Sequence, residues 1–170
     1  ELNRILMKKT IKFVVFFAIV LTLFSAYPDK VVDASEGYIV PSLTISNGNE
    51  NISLDMYKGK HVLLTFWAST DGISRVACNE YSAFVKNVAN KEQICHISIN
   101  FDQNNNLFKE TVRRDNLNAI AQLNVKGEEA KQIKETFHLE DGYNTLLIDP
   151  TGRIIATNPS VQTLEQALSL

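Results

Sequence analysis

Cysteine is scarce in this chain: two residues in 170, Cys78 and Cys95. Two thiols exclude a disulfide-rich scaffold and a four-cysteine zinc site, and leave room for at most one disulfide or one redox pair. Four prolines and seven glycines are too few for a collagen-like or disordered linker protein. No charge of one sign dominates. Seventeen Lys and Arg stand against nineteen Asp and Glu, a net of -2, so the basic excess that marks a nucleic-acid binder is absent. His61, His96 and His138 share no ligand spacing with one another or with an acidic cluster, so neither a metal site nor a cofactor is expected. Long apolar runs are lacking too. The charge-free stretch at 13–24 (FVVFFAIVLTLF) has 12 residues, well short of the roughly 20 that cross a bilayer. What remains is 45% hydrophobic, with length for one globular domain, a sizeable core and a short appendage.

The appendage reads as an address. The first methionine is Met7, so residues 1–6 are expected to lie upstream of the true start. Lys8, Lys9 and Lys12 precede the apolar run, and Pro28, Asp29 and Lys30 follow it, the order of a secretory signal peptide. Cleavage wants small residues at the last and third-last positions. Val32-Asp33-Ala34 meets this, and a cut after Ala34 is expected; Phe24-Ser25-Ala26 carries a bulky third-last residue. The expected division is a signal peptide at 1–34 and a domain at 35–170, with an uncleaved N-terminal anchor as the competing reading. Losing 1–34 removes five basic and three acidic residues and leaves 12 against 16, a net of -4. The mature protein would be soluble, exported and periplasmic, in a compartment that permits disulfides.

One domain follows. Residues 41–55 read as a hairpin: Leu43 and Ile45 alternate with polar neighbours, Asn47-Gly48 supplies turn chemistry, and Ile52 and Leu54 resume the alternation. Residues 61–68 (HVLLTFWA) are nearly all apolar, as in a strand buried on both faces. Ser69-Thr70-Asp71-Gly72 is helix-capping chemistry. A helix is predicted over 73–90, with Val76, Ala77, Tyr81, Phe84, Val85 and Val88 at helical spacing. Residues 93–100 (QICHISIN) predict a second strand, with Cys95, Ile97 and Ile99 on an apolar face and Ile94, His96 and Ser98 on a more polar one. Asn104-Asn105-Asn106 reads as a loop before a charged helix at 107–115. Residues 118–125 fit a strand or a loop. A helix at 127–137 has Glu128 and Glu129 well placed in its first turn. Strands at 144–149 and 153–157 flank the turn Asp149-Pro150-Thr151-Gly152, and Ser160 caps a last helix. This order predicts an α/β fold: a central mixed sheet with an N-terminal β-hairpin and helices on both faces.

Two blocks carry a resemblance. The first is Ile52-Ser53-Leu54, Lys58-Gly59-Lys60 and Val62-Leu63-Leu64-Thr65-Phe66-Trp67-Ala68-Ser69. The second is Thr145-Leu146-Leu147-Ile148-Asp149 with Gly152-Arg153-Ile154-Ile155. They resemble the thioredoxin-like superfamily, in its alkyl hydroperoxide reductase and thiol-specific antioxidant branch. Within that branch they are most similar to the exported bacterial thiol:disulfide oxidoreductases that assist cytochrome c maturation. There the first block reads close to G-K-x-V-L-L-x-F-W-A-x-W-C-x-x-C-R and the second close to P-T-x-F-L-I-D-x-x-G-x-I. The resemblance spans residues 38–170 and implies a thioredoxin-like fold. It puts Thr70 at the motif's second tryptophan, Asp71 on the nucleophilic cysteine, Ser74 on the resolving cysteine and Tyr143 on the active-site proline, with Arg75 retained. The CxxC is thereby replaced by Asp71-Gly72-Ile73-Ser74.

A redox cysteine works as a thiolate beside a second, resolving thiol. Asp71 and Ser74 cannot form a disulfide. A serine hydroxyl needs an adjacent base, and a helix N-terminus would lower the basicity of Asp71. The resemblance therefore implies a protein without dithiol chemistry. It would be a binding or accessory module that uses the former active-site rim, Trp67, Thr70, Asp71, Ser74, Arg75 and Tyr143, to hold an envelope protein or peptide. The alternative is a residual thiol-dependent oxidoreductase or peroxidase acting through Cys78. Against it, Cys78 falls one helical turn beyond Ser74 and Cys95 falls in a central strand, where cysteines are usually buried and inert.

Overall fold

The computed structural model describes residues 32–47, 50–88, 92–117 and 121–169. All but the last three residues of the expected leader lie outside this set, as does Gly48 of the hairpin turn. The compact unit, Val32–Leu170, begins three residues ahead of the expected domain start. Strand β1 (Thr44–Asn47) pairs antiparallel with β2 (Glu50–Ser53), setting Ile45 opposite Ile52. A 3-10 turn, Leu54–Tyr57, follows, capped by the Ser53 hydroxyl on Asp55 N–H.

The apolar run becomes β3 (His61–Trp67), and helix α1 (Gly72–Asn87) leaves its end. Next come β4 (Ile94–Asn100), α2 (Asn105–Arg114), β5 (Ala121–Asn124), α3 (Gly127–Thr136), β6 (Thr145–Ile148), β7 (Ile154–Thr157) and α4 (Val161–Leu168). The ambiguous stretch at 118–125 thus contains a strand, parallel to β4. The asparagine run is no loop: the Asn104 side chain caps α2 by accepting from Asn106 and Leu107 N–H, so that helix starts at Asn105.

Five strands form one sheet in the order β5-β4-β3-β6-β7. The first three are parallel, and β6 and β7 turn antiparallel, which is the mixed sheet the element order implies. Asp149 holds the β6–β7 turn, accepting from Thr151 and Arg153 N–H at 2.8 and 2.9 Å. Alternation along each strand gives the sheet two faces. One packs Val62, Leu64, Phe66, Ile97, Ile99, Leu123, Leu146 and Ile148 against α3 and the hairpin. Phe66 and Phe137 are both fully buried, with ring centroids 5.0 Å apart. A side chain of that kind stabilises by about 1.5–3 kcal/mol relative to exposure.

The other face packs Leu63, Leu147 and Ile94 beneath Tyr81 of α1 and Leu164 and Leu168 of α4. This is the more polar face that the alternation in the sequence marks. Thr65, His96, Ser98, Asn100 and Thr145 are all buried, because α1 and α2 cover them. Val76, at helical spacing in the sequence, lies on the outer side of α1 and is 57% exposed.

Candidate functional site

The strand-to-helix turn between β3 and α1 is the place the sequence singled out. Asp71, in extended backbone, is the N-cap of α1: its Oδ1 accepts the Ser74 N–H at 2.7 Å. Hydrogen bonding by Ser74 holds the Asp71 carboxyl below the usual carboxylate range. The buried Ser74 hydroxyl is spent within the turn. It accepts from Ala68 N–H at 3.4 Å and donates to the Asp71 carbonyl at 3.3 Å. This pair is therefore an N-cap, with the carboxylate on the Ser74 amide.

A second layer locks the turn from below, and nothing in the sequence reading named it. Asp102 is only 5% exposed. Its carboxylate accepts from Ser69 N–H at 2.9 Å, from the Ser69 hydroxyl, and from Asn100 Nδ2 at 3.0 Å. Asn124 Nδ2 donates to Asn100 Oδ1 at 2.8 Å and to the Asp102 carbonyl at 3.0 Å. Three donors on one buried carboxylate satisfy it without a cation. The available signal was position. Asn100-Phe101-Asp102 closes a parallel strand, and the carboxyl ends of such strands carry the functional loops.

Arg75 extends from the first turn of α1 to Asp115 after α2, with Nε–Oδ2 2.5 Å and Nη2–Oδ1 2.6 Å. That two-pronged pair pulls the Asp115 carboxyl below its usual range. Its guanidinium is thereby occupied. Trp67 lies beneath the rim rather than on it, fully buried with Cys78, Val112 and Leu117. Tyr143 sits on the other side of the sheet. Its ring stacks on Phe101 at 5.3 Å, and the Lys134 ammonium lies 5.4 Å from it. The structure therefore joins Asp71 to Ser74 and Trp67 to Cys78, and it sets Tyr143 in a separate aromatic pair. Peptide bonds are trans throughout the described residues.

Two apolar side chains stand out beside the turn. Thr70 is exposed, Ile73 is 85% exposed and Val76 is 57% exposed. Ile73 and Val76 are one turn apart on a single face of α1.

Neither cysteine reaches this surface. Cys78 has no exposed area, and its Sγ lies 3.3 Å from Ser98 Oγ. Burial pushes its thiol up to about 11. Cys95 is half-buried against the opposite face of the sheet, and burial likewise raises it to about 11. Ser98 and Cys95 project from opposite sides of β4, so the sheet separates the two sulfurs and no disulfide joins them. Among the described residues no group of three His, Cys, Asp or Glu gathers as a metal site.

The chain matches no protein-family model and no curated relative. It does match solved structures. A thioredoxin-like protein from Parabacteroides distasonis is 25% identical with a TM-score of 0.69, covering 82% of this chain and 98% of that one. The thioredoxin domain of a thiol-disulfide oxidoreductase from Bacteroides vulgatus is 21% identical with a TM-score of 0.68, covering 79% and 96%. A thiol-disulfide oxidoreductase from Bacteroides fragilis is 20% identical with a TM-score of 0.62, covering 77% and 97%. With the β5-β4-β3-β6-β7 sheet, the two covering helix layers and the N-terminal hairpin, this chain is a thioredoxin-like protein in its fold.

Proposed function

We propose that this is an exported thioredoxin-fold protein that has lost the dithiol motif and serves as a binding or accessory module in cell-envelope thiol homeostasis. One observation carries the reading. At the helix start where the resemblance puts a reactive cysteine pair, Asp71 and Ser74 satisfy each other as a cap, while Cys78 lies buried beneath, Cys95 lies half-buried across the sheet, and neither thiol is activated. A thiolate nucleophile needs a lowered pKa and access, and Cys78 has neither. The exposed side of the turn, Thr70, Ile73 and Val76, offers contact area without chemistry. Its partner is an envelope protein or peptide that packs an apolar side chain on Ile73. Export is supported by the basic and apolar order at 7–34, and no helix of the described residues is long and apolar enough to cross a membrane.

The test counts thiols and turnover together. Cys78 and Cys95 are expected to react with a thiol reagent only after denaturation. The folded protein is expected neither to reduce a protein disulfide nor to consume peroxide. Turnover that disappears in Cys78→Ser would replace this reading with the thiol enzyme.

A further inference from the structure

The boundary expected after Ala34 cuts through a packed element. Residues 36–40 cover the outer edge of β7: Gly37 N–H donates to the Ile154 carbonyl at 2.8 Å, Ile154 N–H to the Tyr38 carbonyl at 2.9 Å, and Val40 N–H to the Gly152 carbonyl at 2.9 Å. The Arg153 guanidinium bonds the Gly37 carbonyl, and Glu36 Oε1 accepts from Thr157 N–H at 2.6 Å. A β-edge so covered is closed to pairing with other chains. This strap is itself held by the three residues before Ser35. Val32 bridges Ile39, and Asp33 N–H donates to the Ile39 carbonyl at 3.1 Å. Asp33 Oδ1 pairs with His138 Nε2 at 3.0 Å, beyond the end of α3. Ala34 is 8% exposed and belongs to the main core.

We infer that residues 32–34 are structural parts of the working domain and are retained in it, so that any leader removed on export is cut ahead of Val32. A cut after Ala34 would empty a core position, strip Ile39 and His138 of their partners, and leave a charged amino group at Ser35 against the strap. Phe24-Ser25-Ala26 is the site upstream with a small final residue. The inference rests on the export reading only for the processing step; the packing argument stands without it.

The full chain, expressed in a bacterial host with an envelope, would be fractionated, and its intact mass and first residue measured. A first residue at Tyr27, or an uncut chain, retains 32–34 and supports the inference; Ser35 as the first residue overturns it. The compartment in which the chain is found judges the export reading separately. In the full chain, Ala34→Asp is expected to lower the melting temperature by roughly 3–8 °C, and the milder Asp33→Ala by less. Unchanged melting in both variants would also overturn the inference.

Discussion

On the side of the central sheet covered by α3, the buried side chains are carbon: Val62, Leu64, Phe66, Ile97, Ile99, Leu123, Leu146 and Ile148. On the side covered by α1, one level runs Gln122, Ser98, Thr65 and Thr145 across four strands, and the next runs Asn124, Asn100 and Trp67. Both sides are covered by helices, yet they do different work. The carbon side supplies transfer free energy, which is large and non-directional. The polar side supplies direction. Thr65 Oγ1 links His96 Nε2 at 2.9 Å and Thr145 Oγ1 at 3.1 Å, and Asn100, Asp102 and Asn124 fix the turn from which α1 starts. Breaking the first should unfold the protein, whereas breaking the second should loosen the surface around Thr70 and Ile73.

The largest expected effect is on the carbon side. Phe66→Ala should cost about 4 kcal/mol, as transfer and cavity terms add, read from urea unfolding. Asp102→Ala comes next at about 2–3 kcal/mol, because it strands the Ser69 amide and the Asn100 carboxamide. Hydrogen exchange at Ser69 and Thr70 should rise with it. Exchange that stays slow would mean that the polar side does not hold the turn.

His96 gives the polar side a pH signature. Burial depresses its pKa to about 3 from the ordinary 6.5. The unfolded chain then takes up a proton that the folded chain refuses. Its contribution is whole above about pH 6.5 and is lost progressively as pH falls toward 3. In His96→Gln the urea midpoint should change less between pH 7 and pH 4.5 than in the parent; an unchanged slope would show that His96 is not what senses the acid.

Smaller effects sharpen the contrast. Asp71→Ala should cost about 1 kcal/mol as a lost cap. Because the folded Asp71 carboxyl lies below its usual value, that contribution is present above about pH 4 and fades as pH falls through the folded value. Gln122→Leu should be neutral or stabilising by up to about 1 kcal/mol, since neither amide atom of Gln122 has a partner among the described residues. A clear loss on Gln122→Leu would show that even this unpaired amide is part of the polar scaffold.

The element order was legible because period is a local property. The apolar run at 61–67, the helical spacing after Asp71, and the Asp149-Pro150-Thr151-Gly152 turn each follow from neighbours in sequence. The capping role of Asp71 was legible for the same reason, since an N-cap bonds three residues ahead. Helical spacing placed Val76 in α1 but not its side: Ala77 and Tyr81 lie on the helix face turned to the sheet, and Val76 flanks it on the outside. The alternation Ile94, His96, Ser98 in β4 correctly marked a polar face but could not say that two helices would bury it. Asp102 was missed because Ser69, 33 residues earlier, comes to it only through the pairing of β3 with β4, which no local pattern reveals.

The sequence by itself determined the order of strands and helices, though not every boundary, and that no cysteine stands at the start of α1. Dihedral preference, capping and alternation all act within a few residues. Tertiary structure alone decided the fate of the two thiols and the surroundings of Ala34. Burial and opposite faces of a sheet are relations between distant segments. Packing put Cys78 and Cys95 on opposite sides of β4, and it drew Ala34, ahead of the expected boundary, into the core.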